Sequence, residues 1–406
     1  MEPLDHYRRI PLQLRIARAL ISSLFMVPII VMYFDGKGVS LAGFLLIQGL
    51  FRATVIALEV PAGYVADRYP RHHVLMFGVL FNLMGMAVML LSSGFWMLLV
   101  AEMLLGIAVV LHSGTTQALL YDALNALGER HRAKEELGRL RFWEQLASGA
   151  AMVIGGFLYG INHDLPVLLT LVAYGFAILV LLGVKAPPRK MRQAENHLHD
   201  LAVVIRYAVH GHADLRWLMI YPALVLGITI VPFWAAQKIM ADLGISSEVY
   251  GALLCLNFMF NAITARYAGR IVARVGLWQV TWLLLLMVVG SFAYMGLVHH
   301  PVVFIGLTVA TLSHNLGIVV FVDVVNELLD DAAEDRDGSD IRATVLSVFT
   351  LMQQLYGMLG LLFMSALSGW LPLGQELLVL AVLILVASIW PMLKVLKLER
   401  IMTRHD

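Results

Sequence analysis

Long apolar stretches recur along the whole chain and are separated by polar connections. A membrane has a hydrocarbon core about 30 Å thick, and an α-helix needs roughly 20 apolar residues to cross it. The stretches that meet this length are 13–34, 41–64, 74–92, 95–121, 140–161, 166–184, 217–240, 248–269, 277–298, 301–326, 342–370 and 374–396. The pattern therefore predicts an all-α membrane protein with twelve transmembrane helices.

The connections between these stretches alternate in charge. Connections poor in Lys and Arg, such as "DGKGVS" and "NHDLP", alternate with basic ones, such as "ADRYPRHH" and "ALGERHRAKEELGRLR". Cytoplasmic loops carry an excess of Lys and Arg, whereas acidic residues, as in "DDAAEDRDGSDIR", contribute little to orientation. The basic set is therefore predicted to be cytoplasmic, with both termini inside and the chain crossing the membrane many times.

Composition agrees with this location. Hydrophobic residues make up 60% of the chain and charged residues 14%, and the mean hydropathy is +0.80. Soluble domains are about 45–50% apolar and about 25% charged. A net charge of +1 gives no general attraction to nucleic acid, and the single cysteine, Cys255, provides neither an internal disulfide nor a zinc site. No Asn-x-Ser/Thr sequence occurs, and the basic N-terminus lacks a signal-peptide cleavage site, which favours a bacterial inner-membrane protein with a retained first helix.

The longest connection lies at the middle of the chain. It predicts an N-terminal six-helix half at 1–184, a cytoplasmic linker at 185–215 with a short amphipathic surface helix, and a C-terminal six-helix half at 216–406. The stretches "GYVADRYP" and "GRIVARVG" occupy corresponding connections in the two halves, after helices 2 and 8. The halves are therefore predicted to be pseudo-repeats.

One connection carries a family resemblance. The stretch "GYVADRYPRHH" resembles the loop signature of the major facilitator superfamily, Gly-x-Leu-Ala-Asp-Arg-x-Gly-Arg-Lys/Arg, and "EVP", "ALLYD" and "RATVLSV" resemble further stretches of such transporters. The resemblance implies the major facilitator fold and transport by alternating access. It also implies a conformational latch in this region, for which the candidate residues are Gly63, Asp67, Arg68, Arg71 and Asp122.

Polar residues inside the spans are expensive to place in a membrane and are therefore candidates for function. They concentrate in helices 2, 4, 5, 8, 10 and 11, whereas helices 3, 6, 9 and 12, which face lipid in the resembled family, carry almost none. The substrate-cavity candidates are Arg52, His112, Glu144, Gln145, Phe233, Trp234, Asn257, Asn261, His314, Asn315, Gln353, Gln354 and Tyr356. The proton-coupling candidates are Glu59, Glu102, His112, His314 and Asp323.

Each of these candidates also has a structural alternative. Asn and Gln side chains often join membrane helices, at about 0.6–2 kcal/mol for each hydrogen bond. Arg52 and Glu102 are candidates for an ion pair, and Glu59 for a contact with a loop arginine. An unperturbed histidine titrates near pH 6.5, so His112 and His314, at similar depths in the two halves, suit a proton relay, a substrate hydrogen bond or simple packing.

The absence of several motifs disfavours some classes of function for this chain. The chain has no phosphate-binding loop for ATP and no metalloprotease or nucleophile-elbow motif, which favours a secondary carrier over an ATP-driven pump or an enzyme. Its expected partners are protons and a small molecule, without cofactor or metal, and the chain is expected to act as a monomer. The leading hypothesis is proton-coupled export of a drug-like compound, siderophore or metabolite, although "EMLLG" and "ASGAAMVIGG" depart from the antiporter signatures of the resembled family.

The alternatives concern direction and class. Proton-coupled uptake or facilitated passage of a polar nutrient is the second hypothesis, and a non-transporting membrane receptor is a third. The family-like loop signature disfavours the receptor, because such a loop belongs to a protein with moving halves.

Overall fold

The computed structural model describes residues 3–187, 213–275, 277–331 and 338–402. Within these residues the chain forms helices joined by short connections and contains no β-strand. The amphipathic surface helix predicted within the linker, at 197–212, lies outside the described residues. The fold class predicted from the apolar pattern, an all-α membrane protein, is confirmed.

The helices follow the predicted spans closely. In the first half of the chain they are α1 (Pro3–Ser22), α2 (Ile30–Gly36), α3 (Leu41–Arg68), α4 (Arg71–Leu90), α5 (Phe95–His112), α6 (Thr115–Ala126), α7 (Ala133–Ile161) and α8 (Leu165–Leu182). In the second half they are α9 (Ala213–Gly227), α10 (Ile230–Asp242), α11 (Ser247–Val275), α12 (Leu277–Leu297), α13 (Phe304–Asp331), α14 (Gly338–Leu367) and α15 (Leu373–Met402).

Ten segments of the described residues are long and apolar enough to cross a membrane. The two predicted spans missing from this set correspond to α7 and α11, helices of 29 residues each. Both helices are long enough to cross, and the first half of α7 is rich in charged residues. A less apolar helix is stable in a membrane when its polar side faces protein or a water-filled cavity, so α7 in particular is a place to look for a site.

Three predicted spans are interrupted helices. Span 1 consists of α1 and α2 joined through 23–29, span 4 of α5 and α6 joined at 113–114, and span 7 of α9 and α10 joined at 228–229. Gly114 has a φ of +67°, a left-handed conformation that glycine adopts without steric strain. Non-helical backbone at membrane depth is tolerated where it is buried in protein or lines a cavity, so the three breaks point to the interior of the protein.

The chain divides into two compact units. Unit one contains Met1–Ser40, Ala53–His197 and Ser246–Phe258, and unit two contains Leu41–Arg52, Leu198–Ile245 and Met259–Asp406. Each unit thus includes a short helical piece from the opposite half of the sequence. The predicted boundaries of the two six-helix halves, at 1–184 and 216–406, remain a prediction.

Glycines allow close helix packing within each unit. In unit one, a Cβ on Gly155 would collide with the carbonyl oxygen of Phe25 at the break of span 1, and a Cβ on Gly251 would lie 2.5 Å from the carbonyl oxygen of Met152. In unit two, a Cβ on Gly227 would lie 2.5 Å from the carbonyl oxygen of Gln353. Small residues at such positions let the backbones approach, which is how membrane helices gain packing energy without a hydrophobic driving force.

The family-like signature is helical for most of its length, which corrects the expectation of a loop. Helix α3 runs through "GYVADR", and only Tyr69 and Pro70 separate it from α4. A proline disfavours the helical conformation of the residue before it, so α3 ends there and Pro70 becomes the N-cap of α4. The corresponding stretch Gly269–Val275 is likewise the end of α11, and Gly276 lies outside the described residues.

The packing at Gly155 predicts a selective loss of stability. Gly155→Leu places a side chain against fixed backbone, and overpacking of this kind costs about 1–3 kcal/mol or more. We expect a lower melting temperature for the purified protein in detergent, followed by tryptophan fluorescence. Gly175→Leu in α8 is the matched control, because a Cβ there meets nothing within 4 Å. Equal melting temperatures for the two variants would show that the close approach at Gly155 is not needed.

Candidate functional site

A polar cavity of about 470 Å³ lies in unit one, where the breaks of spans 1 and 4 come together. Its wall is formed by residues of α1, α4, α5, α6, α7 and α8 and of the 113–114 break. At the end of α1, the carbonyl oxygen of Ser22 accepts from the backbone N–H of Leu24 at 2.9 Å and from the hydroxyl of Ser148 on α7 at 3.0 Å. The interruption of span 1 is thus stabilised from α7.

An ion pair crosses this cavity. Nε of Arg18 on α1 donates to Oε1 of Glu144 on α7, and Nη1 of Arg141 lies 3.6 Å from Oε2 of the same carboxylate. Glu144 is buried, with 6% of its surface exposed. Glu144 is one of the cavity residues predicted from the sequence, whereas Arg18 is not. The signal was present, because Arg18 is a charged residue inside the first predicted span, where it had been treated as part of the basic N-terminus.

His112 lies at the end of α5, on the wall of the same cavity. Its Nε2 is 3.2 Å from Nδ2 of Asn82 on α4. An amide nitrogen only donates, so the neutral ring accepts at Nε2 and carries its hydrogen on Nδ1. The ring packs against Gly78, where a Cβ would lie 2.9 Å from the histidine Cε1. Span 3, expected to face lipid, therefore turns its polar residue Asn82 inward, where it is 6% exposed.

Two of the buried polar atoms on this wall have no hydrogen-bond partner among the described residues. They are Nδ1 of His112 and the hydroxyl oxygen of Thr116, and the two residues are 8% and 4% exposed. Buried polar groups are nearly always paired with protein or water. Unpaired groups on the wall of a polar cavity therefore indicate a place where a ligand or water is bound.

Glu59 approaches the break in span 4 from α3. Its Oε1 accepts a hydrogen bond from the hydroxyl of Ser113 at 3.2 Å, and Ser113 lines the cavity. From the sequence, a loop arginine is the candidate partner of Glu59, and in the structure Ser113 is in contact with it instead. A titratable carboxylate thus borders the cavity through the interrupted segment of span 4.

The other candidates in unit one, the proton-coupling candidate Glu102 and the cavity candidates Asn257 and Gln145, lie elsewhere. Glu102 on α5 and Asn257 on α11 are buried, at 3% and 2% exposure, and Gln145 on α7 is exposed. None of the three is on the cavity wall. Gln145 follows Glu144 directly in the helix, so its side chain points about 100° away from the one that reaches Arg18.

A second set of candidates meets at the break of span 7 in unit two. Nδ1 of His314 on α13 lies 3.0 Å from both the hydroxyl of Thr229 and the carbonyl oxygen of Leu226. The hydroxyl of Thr229 also donates to the carbonyl oxygen of Leu226 at 2.6 Å, so two side chains contact this carbonyl near the end of α9. His112 and His314 belong to different units, and each is held by its own neighbouring helices.

Arg52, in the piece of α3 that belongs to unit two, donates to Oε1 of Gln354 on α14. Its partner is therefore an amide in place of the Glu102 carboxylate considered from the sequence. Trp234 on α10 has its ring 5.4 Å from Phe44, an edge-on aromatic contact within unit two.

The remaining candidates of unit two make local contacts or are only partly described. Asn315 donates to the carbonyl oxygen of Thr311 one turn earlier in its own helix, at 3.0 Å. The backbone of Asp323 lies in α13, and its side chain is outside the described residues. The others, whose part in a substrate site remains a prediction, are Phe233, Asn261, Gln353 and Tyr356.

The latch candidates form contacts inside unit one. Nη1 of Arg71, the first residue of α4, lies 2.6 Å from Oδ2 of Asp122 and 2.7 Å from the carbonyl oxygen of Ala118 on α6. Nη1 of Arg68 donates to the hydroxyl of Tyr64 at 2.8 Å. The last turns of α3 also contain Gly63 and Asp67. Arg71 thus ties the start of α4 to α6, while a role of this region in conformational change remains a prediction.

Comparisons with known proteins agree with this architecture. A crystal structure of the nucleoside transporter NupG superposes with a TM-score of 0.77 at 13% identity, covering 95% of this chain and 98% of that one. A bacterial homolog of the human lysosomal transporter Spinster, inward-facing and unoccupied, gives 0.74 at 15% identity and covers 97% and 98%. A bacterial homologue of the iron transporter ferroportin gives 0.66 at 16% identity and covers 98% and 99%. These likenesses concern the fold, and no curated protein matches the chain.

The family model of the Major Facilitator Superfamily matches residues 15–361, from the first span into the eleventh. The family resemblance noted in the sequence is therefore confirmed, as is the expectation of a transporter and not an enzyme. The chain belongs to the Major Facilitator Superfamily.

Proposed function

We propose that the protein is a proton-coupled secondary transporter that moves a small organic solute across a bacterial inner membrane by alternating access. The observation that carries the proposal is the Arg18–Glu144 ion pair beside His112 in a polar cavity at two helix breaks. Substrate sites of secondary transporters lie near the middle of the membrane, where discontinuous helices meet. The family supports transport, and the cavity supplies titratable groups for coupling.

Coupling follows from the chemistry of the ion pair. A buried carboxylate is stabilised in its charged form by a neighbouring cation, and it is neutralised most easily by a proton when that cation is taken away. A solute that changes the pairing of Arg18 and Glu144 therefore changes proton binding, which is the reciprocal linkage that coupled transport requires. His112 and Glu59 border the same cavity and are the supporting proton-coupling candidates, while the roles of Glu102, His314 and Asp323 remain predictions.

The direction of transport depends on the charge of the solute. A cationic group that binds Glu144 competes with a proton, and competition produces exchange, which suits the export of a drug-like compound, siderophore or metabolite. An anionic group that binds Arg18 leaves Glu144 to be neutralised by a proton, and joint binding produces cotransport. The second scheme suits uptake of a polar nutrient, and the specific observation that favours it is the partly buried guanidinium of Arg18 on the cavity wall.

The proposal predicts that a pH gradient drives transport only while Glu144 is intact. In proteoliposomes with an imposed gradient and a panel of labelled organic cations and anions, we expect wild-type protein to concentrate a solute. Glu144→Gln is expected to lose gradient-driven accumulation and to retain exchange of the solute between the two sides. Glu376→Gln is the matched control, because Glu376 is a buried carboxylate of α15 outside the cavity wall.

Two results would contradict the proposal. One is wild-type transport that ignores the gradient. The other is a Glu144→Gln variant that accumulates solute as the wild type does, because the proton would then be carried elsewhere.

The ion pair also predicts a stability pattern. Removing one partner of a buried pair leaves an uncompensated charge, which costs about 3–5 kcal/mol. The Arg18 side chain is 22% exposed. We therefore expect a cost at the lower end of that range for Glu144→Met, which leaves Arg18 without its carboxylate partner. Arg18→Met is expected to lower the melting temperature in detergent similarly, and the double variant to recover most of the loss. Additive losses in the double variant would show that the two side chains do not act as a pair.

A further inference from the structure

We propose that the solute bound in this cavity is a small organic anion, whose acceptor oxygens are recognised by Nδ1 of His112, the hydroxyl of Thr116 and the guanidinium of Arg18. The inference rests on the proposed function, since it takes the cavity as the transport site. It adds the chemical class of the solute.

The first argument comes from the unpartnered atoms. Nδ1 of His112 carries the ring hydrogen when Asn82 donates to Nε2, so a residue of the cavity wall has a buried donor without a partner among the described residues. The hydroxyl of Thr116 offers a second donor on the same wall. A buried donor without a partner costs about 1–3 kcal/mol, and an acceptor group on the solute removes that penalty for both atoms. A carboxylate has two oxygens and suits two donors.

The charged groups of the cavity wall also suit an anion. The cavity wall contains two guanidinium groups, Arg18 and Arg141, and one carboxylate, Glu144, with His112 neutral in the arrangement described. Arg141 keeps 63% of its side chain exposed, so its charge is solvated, and Arg18, 22% exposed, is the guanidinium that a bound anion meets inside the cavity. Charge inside a membrane protein is stabilised by pairing, and a monoanion supplies Arg18 with a partner when a proton neutralises Glu144.

A cation or a neutral solute fits the wall less well. Oε1 of Glu144 already accepts from Arg18, and Oε2 lies 3.6 Å from Arg141. A cation would have to displace one of these guanidinium groups and remain beside both. A neutral solute would leave Arg18 without a charged partner once Glu144 is protonated.

Size and coupling agree with an anion. Sites for small organic molecules are about 300–1,000 Å³, and the cavity is about 470 Å³. An anion that takes the guanidinium of Arg18 frees Glu144 for a proton, so solute and proton bind together. The inference therefore selects the cotransport scheme over exchange.

The test uses three probes of similar size on the purified full-length protein in detergent: benzoate, benzamide and benzylamine. Ligands that bind the folded state raise its melting temperature with concentration. We expect benzoate to raise it, and benzamide and benzylamine to leave it unchanged under the same conditions.

Thr116→Val tests the named contact, because valine keeps the shape of the side chain and removes the hydroxyl. A hydrogen bond to a charged group contributes about 1.5–3 kcal/mol, so we expect benzoate affinity to fall about tenfold or more. Thr170→Val is the matched control. Thr170 is fully buried in α8, and its hydroxyl donates to Pro166 at 2.8 Å away from the cavity wall, so benzoate affinity is expected to stay at the wild-type level.

Several outcomes would overturn the inference: no benzoate effect, an equal or larger effect of benzamide or benzylamine, or wild-type affinity in Thr116→Val. Gradient-driven transport of a cation that depends on Glu144 would also overturn it while leaving the proposed function standing. Benzoate binding that depends on Thr116, combined with transport that ignores the pH gradient, would support the anion site and overturn proton coupling.

Discussion

A membrane supplies no water to an open backbone or an unpaired charge, so each such group inside a span must be satisfied by the protein or by what the protein encloses. This constraint explains why the interruptions of spans 1 and 4 border one polar cavity. Ser148 adds a hydrogen bond at the end of α1, Gly114 accommodates the turn between α5 and α6, and Ser113 bonds to Glu59. The constraint that limits the number of polar groups in the spans therefore also places those groups together around the cavity.

The ion pair between Arg18 and Glu144 depends on that gathering. A buried pair is weak evidence for stability, because desolvation offsets much of its attraction. The pair matters for transport because it has two states. A solute that binds Arg18 releases Glu144, and a proton that binds Glu144 releases Arg18. Close packing at Gly155 and Gly251 holds α7 against its neighbours in unit one, so the carboxylate is presented from a firmly placed helix.

The apolar pattern predicted the spans and the fold class, because span length is set by membrane thickness and little else. The family followed from a short signature. The loop conformation predicted for the signature was wrong, because hydrophobic periodicity does not reveal that α3 continues to Arg68. The site was less predictable. Glu144 and His112 stood out as polar residues in spans, whereas Arg18 was hidden by the basic flank before it. Asn82 faces inward because of the way α4 is rotated about its own axis. A single polar residue in the sequence does not determine that rotation.

The central claim is that solute and proton bind the same cavity together through Glu144. It is tested most directly by measuring protons taken up when benzoate binds the purified protein in a weakly buffered solution. The account predicts net proton uptake on benzoate binding by the wild type and none by Glu144→Gln at saturating benzoate. Binding without proton uptake in the wild type, or the same uptake in Glu144→Gln, would contradict it.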